Sequence, residues 1–198
     1  MKRVVLIRHG KAAMAGKDHE RELDEDGIIQ ANSLKNKLVN IGLKSDKIYS
    51  SPFKRAIQTI KPFAETNANI LVKEQQELEE IHMPKDEKLS KHQLIEKMWN
   101  DENFKISDGL SHREHYEKIN PFLTEVFENF KSNNQDLVII SHGVLIGMIL
   151  KFFFKINFGF SDWKTMTMPD IYFLNFDDKN KFINMERANN NIERIFKI

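Results

Sequence analysis

Val4-Val5-Leu6-Ile7-Arg8-His9-Gly10 is the stretch whose reading decides the fold. Four consecutive β-branched or aliphatic residues read as a buried strand, and the glycine ends it. In an open α/β sheet ligands bind in the crevice beyond the carboxyl ends of the strands, so this run aims a guanidinium and an imidazole into one cleft. The pair suits an anion. Arginine stays charged and offers a planar fork of donors, while histidine titrates near neutrality and serves as nucleophile or acid/base. Taken alone, an Arg-His pair after a strand is an ordinary solvated turn; its weight comes from two further stretches.

The first of these is Ser50-Ser51-Pro52-Phe53-Lys54-Arg55-Ala56-Ile57-Gln58-Thr59, which follows a short strand at Lys47–Tyr49. Pro52 suits a first helical turn and the serine before it a cap, so a strand-turn-helix corner with outward-pointing N–H groups is expected. Such helix starts attract phosphate. Ala56, Ile60, Phe63 and Ala64 give the buried face and leave Arg55 in the first turn, near the crevice of Arg8. The second is Asp136-Leu137-Val138-Ile139-Ile140-Ser141-His142-Gly143, again an apolar strand ending in His-Gly with a helix behind it. If the sheet brings these corners together, two histidines and two arginines surround one anion.

The remaining segments are read outward from these. Lys11 to Asp26 is a charged loop over the cleft, in which Arg21 is either a solvated cation or a group facing the site. A helix then starts near Gly27, with Asp24 as N-cap, a buried stripe of Ile28, Ala31, Leu34, Leu38 and Ile41, and Gly42 as its stop. Ile70–Val72 is another short strand, and in Glu77-Leu78-Glu79-Glu80-Ile81 the first two acids read as solvated surface. Residues 82–110 form a helical, lid-like insertion anchored by Leu89, Leu94, Ile95, Met98, Trp99 and Phe104, the kind of segment that commonly sets substrate choice. Ser111 to Glu114 is a capping box opening a long amphipathic helix, in which Pro121 predicts a kink or a break near Asn120. His112 and His115 lack a strong third ligand and read as surface histidines rather than a metal site. Val144 to Phe160 reads as a buried helix, and Ile171–Phe176 with Phe182–Met185 as a final hairpin.

Composition narrows the function classes. A length of 198 residues fits one domain over 1–198 that buries roughly 70% of the surface its unfolded chain exposes. Lys+Arg 30 against Asp+Glu 29 leaves a net charge of +1, so no global field recruits nucleic acid or an anionic membrane, and any positive site is local. The chain has no cysteine, which removes disulfides, thiolate nucleophiles and Cys-ligated zinc, and suits a reducing compartment. The apolar run before Arg8 is too short for a signal peptide, and Val144 to Phe160 falls short of the ~20 apolar residues of a span. A cytoplasmic protein is the expectation.

Val5-Leu6-Ile7-Arg8-His9-Gly10, Ser50 to Thr59, Leu78-Glu79-Glu80-Ile81 and Ser141-His142-Gly143 together resemble the histidine phosphatase (phosphoglycerate mutase-like) superfamily, in order and spacing from about residue 3 to 176. The resemblance implies a three-layer α/β/α sandwich with a mostly parallel central sheet, and metal-independent phosphatase chemistry of the acid phosphatase type, without cofactor. By position it implies His9 as the nucleophile that accepts the phosphoryl group, Arg8, Arg55 and His142 as ligands of its non-bridging oxygens, and Glu80 as proton donor. Phosphoryl transfer asks mainly for in-line positioning and charge facing the equatorial oxygens, which arginines supply.

Lys11-Ala12-Ala13 follows the Arg-His-Gly where mutase-type members carry an acid and later an asparagine, which points to the phosphatase branch. Gly109-Leu110-Ser111, Lys118 and Asp170 also depart from the commoner family pattern. The reading is a phosphomonoester hydrolase acting on a small phosphorylated metabolite or a phosphoprotein. The alternatives are a protein phosphohistidine phosphatase in signalling, a phosphoglycerate mutase, and a non-catalytic phosphate-binding module on the same fold. No nucleic-acid or membrane partner is expected, and the oligomeric state stays open.

Overall fold

Seven strands, β1 (Lys2–Arg8), β2 (Lys47–Ser50), β3 (Leu71–Glu74), β4 (Leu137–Ser141), β5 (Asp170–Phe176), β6 (Phe182–Asn189) and β7 (Ile192–Phe196), form one sheet in the order β3-β2-β4-β1-β5-β6-β7. The computed structural model describes residues 2–82, 88–107, 109–189 and 192–196. The pairs β1–β4, β2–β4 and β2–β3 are parallel, whereas β1–β5, β5–β6 and β6–β7 are antiparallel. The sheet is therefore mixed. Its parallel half carries the three chemical stretches, and the expected hairpin extends it on the other side of β1 with one more strand than the sequence reading gave.

Both faces of the central strands are buried, which is why they read as continuous apolar runs. Alternate side chains serve opposite layers. Val5, Ile7, Val138, Ile140, Ile171 and Phe173 pack with Leu34 and Leu38 of α1 (Glu25–Asn40) and Ala56, Ile60 and Phe63 of α2 (Lys54–Ala64). Val4, Leu6, Ile139, Tyr172 and Leu174 pack on the other face with α3 (Lys91–Asn100), α4 (His112–Lys131) and α5 (Gly143–Met148). This is the three-layer α/β/α arrangement. The anchors Leu94, Ile95, Met98 and Trp99 bind the 82–110 insertion into that second core. The expectation for Met83–Glu87 and Asp108 lies outside the described residues.

Local signals fare unevenly. Asp24 caps α1 by accepting from Gly27 N, Gly42 sits at φ +63° just past its end, and Ser111 and Glu114 form both bonds of the capping box. Ile28 and Ile41, assigned to the buried stripe of α1, are 54% and 36% exposed, because the sheet covers a narrower arc of the helix than the periodicity allows. The helix α4 runs through Pro121 without a break. Pro121 and Glu117, whose carbonyl it leaves without its i+4 donor, are both exposed, at a position where solvent can satisfy that acceptor. The run after His142 is helical only to Met148 and continues as a π-helical turn over Ile149–Phe153. No described helix is long and apolar enough to cross a membrane.

His112 overturns the surface-histidine reading. It is fully buried with its ring centroid 4.8 Å from that of Trp99, and neither ring nitrogen has a hydrogen-bond partner. Burial, and then the Lys151 ammonium, push its pKa down to about 4. The unfolded chain binds a proton at this site near pH 6.5, and the native state binds it only near 4. Stability therefore falls as pH drops between those values, by at most about 1.4 kcal/mol per pH unit for one proton. We expect the melting temperature to fall less between pH 7 and pH 5 in His112→Leu than in the wild type; equal acid sensitivity by calorimetry would remove His112 from this account. Half-buried His115 is shifted the same way, to about 4.

Candidate active site

The carboxyl ends of β1, β2 and β4 meet in one crevice, because Arg8 pairs with Ser141 and Ser50 with Ile140 in the parallel register. The chain leaving each strand delivers one part of the site. His9 follows β1, His142 follows β4, and Arg55 enters from the first turn of α2 after β2. Four residues named from the sequence are thus brought together, and Glu80 joins them from the loop after the 3-10 turn Gln76–Leu78.

Arg55 is the hub. It is 2% exposed, and its Nε donates to His9 Nε2 at 3.2 Å while Nη2 donates to His142 Nδ1 at 3.3 Å. A guanidinium only donates, so both ring atoms are acceptors, and the protons are assigned to the opposite nitrogens. The partners agree: His9 Nδ1 lies 2.7 Å from the Gly10 carbonyl and His142 Nε2 lies 2.8 Å from Ser51 Oγ. The two rings stand edge to face with centroids 5.0 Å apart. His9 therefore holds an unprotonated Nε2 beside the guanidinium. Burial first, then Arg55, Arg8 and Arg21, push its pKa down to about 3, and the same causes with His9 added hold His142 well below the usual imidazole value.

The expected serine cap of α2 is not formed as read. The helix starts at Lys54 with Phe53 as N-cap, and Ser51, fully buried, is drawn to His142 while weakly accepting from Phe53 N at 3.3 Å. Thr59 at the far end of the same stretch accepts from Gly10 N at 2.9 Å and donates to Arg55 O at 2.6 Å, which ties the first corner to the second. Both residues stood inside quoted motifs, yet neither hydroxyl carries a periodic signal that marks it as a support.

Arg8 donates from Nη1 to the carbonyls of Met166 and Thr167 at 3.1 and 3.3 Å, while its Nε is buried without a partner. A Cβ at Gly143 would lie 3.2 Å from Arg8 Nε and Cζ and from Trp163 Nε1, so glycine lets guanidinium and indole both close on this corner. Glu80 is half-buried and its carboxylate accepts from Ile81 N at 3.1 Å and, at 3.5 Å, from Val144 N at the start of α5. Burial pushes its pKa up, against the pull of the Ile81 N–H, Lys91 and Arg8. It is the acid of the Glu77–Glu80 run whose carboxyl reaches across to β4's helix.

The loop over the cleft takes a definite form. Its 3-10 turn Asp18–Glu20 places Asp18 against Arg55, with the carboxylate 3.2 Å from Nη2 and the carbonyl accepting from Nη1. Arg21 pairs with the same carboxylate. Arg21 is thus held at the rim, where its charge acts on both histidines. Among the described residues no group of three or more His, Asp or Glu is placed to hold a metal ion.

A family model of the histidine phosphatase superfamily (branch 1) matches residues 4–190. The 5''-phosphoribostamycin phosphatase of Niallia circulans is 28% identical over 166 residues, 76% of this chain and 78% of that protein. Among solved structures, the mycobacterial glucosyl-3-phosphoglycerate phosphatase in complex with inorganic phosphate has a TM-score of 0.71 at 19% identity, covering 96% of each chain. The phosphoserine phosphatase of Entamoeba histolytica in complex with 3-phosphoglyceric acid has a TM-score of 0.69 at 20% identity, covering 96% of this chain and 98% of the other. The chain belongs to the histidine phosphatase superfamily (branch 1), and its activity class is that of a phosphatase.

Proposed function

We propose that the protein is a metal-independent phosphomonoester hydrolase that works through a phosphohistidine on His9. The observation that carries this reading is the neutral His9 with its Nε2 lone pair turned to Arg55 in a crevice shared with Arg8 and His142. In the first step Nε2 attacks phosphorus in line, the P–N bond forms, the ester P–O bond breaks, and the Glu80 proton goes to the leaving oxygen. In the second, the Glu80 carboxylate takes a proton from a water that attacks the phosphohistidine. The P–N bond breaks, phosphate leaves, and His9 and Glu80 return to their starting forms.

Arg8 and Arg55 face the non-bridging oxygens, and a bound dianion favours the protonated form of His142, which then donates to it. The substrate is a small phosphorylated metabolite. The Niallia relative is named for a small phosphorylated compound, and a small molecule reaches the buried Arg55 and His142 more readily than a folded phosphoprotein does. A chain without cysteine suits the reducing cytoplasm.

The test is p-nitrophenyl phosphate hydrolysis in excess chelator, with a denaturing quench during turnover. Expected is turnover that survives chelation and a phosphoenzyme stable in alkali but lost in acid. No turnover, with inorganic phosphate still bound, would replace this reading by a phosphate-binding module.

The pH profile follows from two opposite shifts. His9 loses its lone pair only near pH 3, so the nucleophile is available through the acid range. Glu80 must start protonated, and its raised pKa carries that form above the ordinary carboxylate range. With an alkyl phosphate, kcat/KM, which covers the free enzyme up to the first phosphoryl transfer, is expected to be highest at acid pH and to fall as pH rises through the Glu80 pKa. Glu80→Gln should lower kcat/KM about 10²-fold or more and abolish that alkaline limb; an unchanged limb in the variant would reassign the acid.

A further inference from the structure

Two buried charged groups beside the site have no part in the chemistry above. Asp170 begins β5 directly opposite Arg8 of β1, and Arg187 lies on β6, the next strand out. Asp170 is fully buried and Arg187 4% exposed. Arg187 grips the carboxylate with Nε at 3.0 Å and Nη2 at 2.5 Å to Oδ2. Its remaining donors reach Thr165, Nη1 to the hydroxyl at 2.7 Å and Nη2 to the carbonyl at 2.6 Å. Asp170 in turn accepts from Thr167 N at 3.1 Å and Ile171 N at 3.0 Å. The pair therefore clamps the 165–167 backbone at both ends. The carbonyls of Met166 and Thr167, inside that clamp, are the ones that hold Arg8 Nη1.

We propose that Asp170 and Arg187 are positioning residues that set the orientation of the Arg8 guanidinium for the substrate's phosphoryl group. The proposal rests on Arg8 being a phosphate ligand. Neither residue touches the substrate. A buried pair is not needed for stability, since apolar groups of the same volume often serve as well, but it fixes geometry through directional bonds. Arg8 has four side-chain torsions and would otherwise sample several rotamers at the end of its strand. Carbonyl acceptors on a clamped segment select one of them.

A double-mutant cycle separates positioning from general stabilisation, because residues acting as a unit are not additive. The readouts are kcat/KM for p-nitrophenyl phosphate and the affinity for inorganic phosphate, measured on protein with native circular dichroism. Asp170→Asn is expected to weaken both about tenfold in the wild type and to have no further effect once Arg8→Lys is present. Asp170→Asn combined with Arg187→Gln, a neutral pair, covers the case in which the single variant fails to fold, and should behave in the same non-additive way. Equal losses with and without Arg8→Lys, or wild-type affinity in the Asp170 variants, would overturn the positioning role. If Arg8→Lys itself leaves phosphate affinity unchanged, the assignment of Arg8 falls, and this inference with it, while phosphohistidine formation on His9 is still read separately by the quench.

Discussion

Replacing His9 by alanine is expected to lower kcat for p-nitrophenyl phosphate by about 10⁴-fold or more while leaving inorganic phosphate bound within a few-fold of the wild-type affinity. The asymmetry is the informative part. In the proposed mechanism His9 is the group that forms a bond to phosphorus, so its removal abolishes the two-step route and the trapped phosphoenzyme with it. The anion is held chiefly by the arginines, which the variant retains. His9 is also 8% exposed, and the side-chain bonds lost with it are those to the adjacent Gly10 carbonyl and to Arg55 Nε, which is then left free for the anion. Turnover within tenfold of wild type in His9→Ala would sink the phosphohistidine mechanism outright. Weak phosphate binding with lost turnover would instead move His9 from nucleophile to ligand.

Arg55→Ala is expected to cost roughly 10²–10³-fold in kcat/KM, more than the loss of one phosphate contact. A hydrogen bond from a charged donor is worth about 1.5–3 kcal/mol, or roughly ten- to a hundredfold. Arg55 also orients both imidazoles, at 3.2 and 3.3 Å, and its removal takes from Asp18 one of its two guanidinium partners, leaving only Arg21. The three effects compound. Arg55→Lys keeps the charge but cannot reach both rings with one ammonium, so it should recover binding more than kcat. A loss below tenfold in Arg55→Ala, measured by steady-state kinetics, would mean that Arg8 alone carries the phosphoryl charge.

Much of this site was legible because each chemical stretch is a strand followed by its functional side chain, and a strand end fixes where the next residue goes. Val4–Ile7 and Leu137–Ile140 read as buried on both faces and are. Placing His9 and His142 together needed only that β1 and β4 be neighbours. What sequence could not supply were partners set by tertiary approach. Ser51 reads as a cap because local propensity favours it there, and the competing donor is a histidine 91 residues away. Arg187 lies in an ordinary amphipathic strand, and nothing local distinguishes it from a solvated arginine; only the sheet register sets it beside Asp170. His112 departs from its surface reading because burial at the start of α4 depends on how the preceding helix α3 folds back on it, which places Trp99 against its ring.

With Arg55 as a phosphate ligand, the role proposed for it, the salt bridge between Asp18 and Arg55 sets a threshold on affinity. Two anions compete for one guanidinium, and one of them is tethered, so it is present at an effective concentration that dilution cannot reduce. The measured affinity for a phosphate is the intrinsic one scaled by the fraction of molecules in which Asp18 has let go. The loop of residues 11–26 can therefore retune KM through the strength of its own competitor, with the reacting atoms unchanged.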